Sequence, residues 1–151
     1  AARLLSERGD KIVLNCMMAE TYIPEGQEDS AFVFLDRAMK SYKEKAKNYQ
    51  KQGREAILPN CFLSPCYLFA DLLWKKGKIQ QASQYYMIVE PLMKERVKTP
   101  VRMELQIKAL TNFSSFCRET KQYEKALDLL ARRDSVLQTY LEFKAKNDKK
   151  N

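Results

Sequence analysis

Cys66-Tyr67-Leu68-Phe69-Ala70-Asp71-Leu72-Leu73-Trp74, followed after Lys75 by Lys76-Gly77-Lys78-Ile79-Gln80-Gln81-Ala82-Ser83-Gln84-Tyr85-Tyr86, is the stretch that decides the fold. Its first part is apolar on most sides and stops at a glycine flanked by lysines. Glycine is expected there, because φ > 0 just past a helix C-terminus is easy only without a Cβ. A second periodic run starts at Ile79, so the stretch reads as helix, tight turn, helix. Two small residues, Ala70 and Ala82, stand twelve positions apart, with Phe69 before the first and Tyr86 four after the second.

The same arrangement recurs on both sides. Upstream, Asn15-Cys16-Met17-Met18-Ala19-Glu20-Thr21-Tyr22 is followed by Gly26, Ala31 and Leu35. Downstream, Leu110-Thr111-Asn112-Phe113-Ser114-Ser115-Phe116-Cys117 is followed by Tyr123, Ala126 and Leu130. Each copy has a large apolar residue before a small one, an alanine twelve later, and a bulky residue four beyond that. Packing explains the pattern: antiparallel helices approach to about 8–10 Å only where small side chains face each other, and bulky neighbours one turn away fill the gap.

These residues resemble the tetratricopeptide repeat over most of the chain. The middle copy carries the resemblance best, through residues 76–86, and the third through Lys121-Gln122-Tyr123-Glu124-Lys125-Ala126-Leu127. In the first copy Pro24-Glu25-Gly26-Gln27 replaces the usual turn. Successive copies are spaced by 51 and then 44 residues, against about 34 in the standard repeat, so this is a long-repeat variant. The resemblance implies an all-α fold: a right-handed superhelix (α–α solenoid) of three hairpins. They form a single domain over residues 1–151, with units at about 10–53, 59–98 and 100–146 and the end of a preceding helix at 1–8. Periodicity alone would also allow a closed six-helix bundle; the repeated small-residue offsets favour stacked hairpins.

The expected helices span about 11–23, 29–52 (capped by Asp29), 60–76 (kinked or restarted at Pro65), 79–97 (bent near Pro91), 100–119 (capped by Thr99, with Pro100 first) and 123–145. Residues 144–151 are charged and expected to fray. With 4 Gly and 5 Pro, turn-formers are too sparse for a β-rich or α/β chain of 151 residues. At 45% hydrophobic and 30% charged, the chain has a globular composition, and no apolar run approaches the length of a spanning helix.

No catalytic constellation emerges. The chain has no His, the commonest general base, and no glycine-rich phosphate loop. Glu90, Glu95, Glu104, Glu119 and Glu124 lie among Lys and Arg at helix-pair spacing, as on a solvated face. Cys16, Cys61, Cys66 and Cys117 form no CxxC pair. They read as free thiols filling apolar space in a reducing compartment, with no metal site and no cofactor.

The net charge is +8. From Arg37 to Arg54 there are seven basic residues and one acidic, Glu44, whereas residues 12–36 hold five carboxylates and no Lys or Arg. The expected arrangement is a basic outer face with Met39, Tyr42, Ala46 and Tyr49 turned inward; nucleic acid is the less favoured partner. A concave groove lined by the first helix of each hairpin is the better candidate for function. There Glu20, Tyr67, Asp71, Lys108, Asn112 and Ser115 are expected to be exposed, with Trp74 and Arg118 near the lip, against a protein or peptide partner. Members of the family that clamp acidic chaperone tails use Lys, Asn and Arg. The matching positions here are Cys16, Glu20, Leu68, Lys108 and Asn112, so that use is not implied. Leu129-Leu130-Ala131-Arg132-Arg133-Asp134-Ser135-Val136-Leu137, leading into the charged end, looks like the last repeat of bacterial signalling proteins. That resemblance implies a sensor or regulatory region of a larger signalling protein; a constitutive assembly scaffold is the alternative. Self-association through Leu4, Leu5, Val136, Leu137 and Leu141 is a third expectation.

Overall fold

A computed structural model describes residues 10–150, with side chains over residues 11–148. The readings made for residues 1–8, and for Leu4 and Leu5, lie outside the described residues. The described residues form helices α1 (Asp10–Tyr22), α2 (Glu28–Lys51), α3 (Leu63–Lys75, preceded by a 3-10 turn at Asn60–Phe62), α4 (Ile79–Ile88), α5 (Glu90–Lys94), α6 (Pro100–Glu119) and α7 (Tyr123–Lys150), and there is no strand among them. The fold is all-α, built of tetratricopeptide-like helical hairpins. It divides into two compact units, the first ending at Tyr85 and the second beginning at Tyr86.

The turns of all three hairpins close in the same way. The Gly77 N–H donates to the Trp74 carbonyl (2.9 Å) and the Lys78 N–H to that of Leu73 (2.9 Å). Gly26 and Gln27 do the same to Ile23 and Tyr22, and Lys121 and Gln122 to Arg118 and Cys117. This is the Schellman closure, in which a left-handed residue turns the chain so that two N–H groups satisfy the last helical carbonyls. Gly26 (φ 72°) and Gly77 (φ 80°) meet that demand at no steric cost, whereas Lys121 (φ 65°) meets it with a side chain. Each second helix then opens on its small residue: Ala31, Ala82 and Ala126 donate to Gln27, Lys78 and Gln122 at 3.0–3.1 Å. Ala19, Ala31, Ala70 and Ala82 are fully buried, and Ser114 and Ala126 nearly so.

Local chemistry corrects several boundaries. Gln27, not Asp29, is the N-cap of α2, and Glu28 and Asp29 occupy its first turn, where carboxylates complement the helix dipole. Pro65 neither kinks nor restarts α3; it lies in the first turn, where a missing N–H breaks no bond. At Pro91 the predicted bend is a full break. Val89 (φ −101°, ψ 5°) leaves helical geometry and α5 starts afresh, because proline cannot bond back into α4. Thr99 caps α6 as expected, its hydroxyl accepting from the Arg102 N–H at 3.4 Å. Where fraying was expected, α7 continues to Lys150.

In the first unit α1 and α2 pack along each other, and α3 packs on both. The core there is Ile12, Leu35, Phe62, Phe69 and Leu73, with Tyr85 edge-on to Phe69 at 4.8 Å. In the second unit α6 and α7 form the hairpin. Tyr86 stacks on Phe113 (4.9 Å, 5° between planes) and tilts against Phe116 (5.0 Å), and all three rings are buried. Burying each such side chain contributes about 1.5–3 kcal/mol.

Candidate functional site

The eight groove residues are divided between the units, and each set is described on its own. On the first unit, α1 carries Glu20 and α3 carries Tyr67, Asp71 and Trp74. Glu20, Asp71 and Trp74 are half-buried. Tyr67 corrects the expectation of exposure: it is 5% exposed, because α3 is apolar on almost every side and is enclosed by α1 and α2. Burial first, then the charges of Asp71 and Glu20, push the Tyr67 hydroxyl above its ordinary pKa.

On the second unit, Lys108, Asn112, Ser115 and Arg118 follow one another at helical spacing along α6. Lys108 and Arg118 are exposed, and Asn112 and Ser115 half-buried. The opposite face of α6 buries Met103, Leu110, Phe113 and Cys117. An amphipathic helix of this kind turns its polar stripe outward by default.

Each unit also clamps one carboxylate between two lysines. Glu28, at the start of α2, is held by Lys78 in a short hydrogen bond and by Lys76 at 3.5 Å. The Lys78 bond holds its carboxyl below the usual range. Glu90, at the start of α5, pairs with Lys125 at 2.7 Å and Lys94 at 3.2 Å. Burial opposes its ionisation, but the two lysines outweigh that and its pKa is also lowered.

The thiols are grouped in a way the sequence did not reveal. Cys16 on α1 and Cys61 in the 3-10 turn share a hydrogen bond, which together with burial raises the Cys16 thiol far above its ordinary pKa. Burial raises Cys66 as well, so neither is poised as a nucleophile. Forty-five residues separate Cys16 from Cys61, and no local spacing signals such a pairing. All four cysteines are free, and no group of three or more thiols and carboxylates is placed to hold a metal among the described residues. None of the described helices is long and apolar enough to cross a membrane.

Four of the seven basic residues from Arg37 to Arg54 are engaged within the first unit. Arg37 lies over Phe34 (5.3 Å), Lys45 and Arg54 over Tyr49 (5.8 and 4.7 Å), and Lys40 pairs with Asp36 (2.9 Å). Of the self-association set, Val136 is buried, Leu137 half-buried and Leu141 exposed.

No curated protein and no solved structure matches the chain. Residues 63–87 match the family model of the tetratricopeptide repeat, a span that takes in α3 and all but the last residue of α4. The likeness to the tetratricopeptide repeat is therefore shown for the second hairpin, and the helical hairpins on either side of it are of the same kind in turn geometry and small-residue packing.

Proposed function

We propose that this chain is a non-catalytic protein- or peptide-binding module that serves as the sensor or regulatory region of a larger signalling protein. Tetratricopeptide repeats are protein–protein interaction modules. The observation that carries the reading is a pair of half-buried carboxylates on the first unit, Glu20 and Asp71, whose charges reach the buried Tyr67 hydroxyl. Two carboxylates beside a buried phenol suit a partner segment that presents a basic side chain next to an apolar one. Residues Lys108, Asn112, Ser115 and Arg118 of α6 offer a second, cationic contact surface. Binding is read out along α7, a single helix of 28 residues. For that to work the partner must prefer one arrangement of the helix over another.

Trp74 is the sole tryptophan, so its emission reports occupancy of the first unit's face. Peptides selected from a random library should shift that emission, and Glu20→Lys with Asp71→Lys should weaken them at least tenfold while the helical signal stays unchanged. Equal binding by the double variant would place the contact elsewhere. A sensor also requires altered amide exchange over residues 123–148 when the peptide binds; unchanged exchange with intact binding would favour the constitutive scaffold.

A further inference from the structure

The second unit holds a half-open cavity of about 420 Å3, walled by the end of α5 and the loop after it, by α6 and by α7. Its charged lining is Lys94, Arg96 and Arg132, with no carboxylate. Gln106, which also lines it, makes this a built site. Gln106 is 1% exposed, and its Nε2 donates to the carbonyls of Leu92 (2.8 Å) and Glu95 (2.6 Å). Both partners are acceptors, so the amide sits with its nitrogen toward them and cannot be flipped. That leaves Oε1 as a buried acceptor that takes no hydrogen bond from any described residue. Arg132 is locked in the same manner: its Nη2 donates to the carbonyls of Lys94 (2.9 Å) and Glu95 (3.1 Å), while its buried Nε has no acceptor among the described residues.

Two side chains held by the backbone thus leave one acceptor and one donor unused, in a cavity whose charges are all positive. Buried polar groups are normally satisfied, so the pair specifies what should fill the space. We propose that this cavity binds a small organic acid carrying an N–H or O–H donor beside its acid group, as an N-acylated amino acid does. The acid accepts from the Arg132 Nε–H and is neutralised by Arg132 and Arg96; the adjoining donor satisfies Gln106 Oε1. An apolar substituent lies on Met103, Val97 and Val136, the apolar part of the lining. The volume falls in the range of small-molecule sites, about 300–1,000 Å3. None of the eight groove residues takes part, so this site does not rest on the peptide-binding reading.

The test titrates the isotope-labelled protein with N-acetyl-leucine, its methyl ester and 4-methylpentanoate at matched ionic strength, following the Arg132 Nε–H and Gln106 side-chain resonances. N-acetyl-leucine should give saturable shifts. The ester, lacking the acid, and 4-methylpentanoate, lacking the amide N–H, should each bind about tenfold more weakly. Exposed Arg96→Ala should weaken N-acetyl-leucine several-fold with an unchanged melting temperature. Ser135→Trp, at an exposed position on the lining, should abolish the shifts. Equal affinity for acid and ester, shifts that never saturate, or full binding by the Ser135→Trp variant would each overturn the proposal.

Discussion

The turn between α3 and α4 and the turn between α6 and α7 close with the same pair of hydrogen bonds, yet Gly77 occupies the left-handed position in one and Lys121 in the other. In each hairpin that residue stands seven positions after the small residue of the first helix, Ala70 and Ser114. Helix length and close packing therefore dictate the turn, and the residue in it only sets the cost. The two units differ in their cores as well. Gln106 and Ser114, the buried polar residues among those described, both belong to the second unit. Its α5–α6 connection is tied by Gln106 and Arg132, where the first unit relies on rings and thiols.

The strongest way to break this comparison is to enlarge the small residues. Ala70→Leu should cost about 2–3 kcal/mol in a urea titration, by overpacking a site with no free volume. Ser114→Leu should cost a similar amount if the third hairpin obeys the same rule. Indifference at either position would mean that its helices do not need the small residue. Next in size, Gln106→Leu should destabilise by about 2 kcal/mol, because it strands the Leu92 carbonyl and one bond to Glu95.

The clamped carboxylates give a pH dependence. Glu28 and Glu90 both have lowered pKa values in the folded chain, so the unfolded chain takes up their protons first as pH falls. Their stabilising contribution is complete above the unfolded carboxylate pKa, near about 4.3, and is lost as pH drops through the lower folded values. Melting temperature should fall on acidification over that window, and the Glu28→Gln, Glu90→Gln pair should flatten the dependence. The smallest effect sharpens the opening contrast. Lys121→Gly should stabilise by about 1 kcal/mol and Gly77→Ala destabilise by about the same. A Cβ on Gly77 would meet nothing within 4 Å, so the dihedral angle alone is tested.

The readings that held were those with a local cause. Thr99 followed by Pro100 is a helix start in any context, and Ala70, Gly77 and Ala82 encode a hairpin because their offsets match helix geometry. What failed depended on surroundings. Pro65 signals a break only in a helix interior, and its place in a first turn was set by the 3-10 turn before it. Tyr67 was expected to be exposed, but its burial depended on how α1 and α2 pack on α3. The turn at Lys121 was placed by the repeat pattern, but its positive φ was not legible, since lysine has no preference for that region.

By itself the sequence determined the all-α class, the hairpin turns and the likeness of residues 63–87 to the tetratricopeptide repeat, because periodicity, turn glycines and small-residue spacing act over a few turns of chain. Only the tertiary structure decided which polar groups meet: Cys16 with Cys61, Glu90 with Lys125, and Gln106 with Arg132 around one cationic cavity. Those pairings join residues 26 to 45 positions apart, and no rule of local spacing reaches that far.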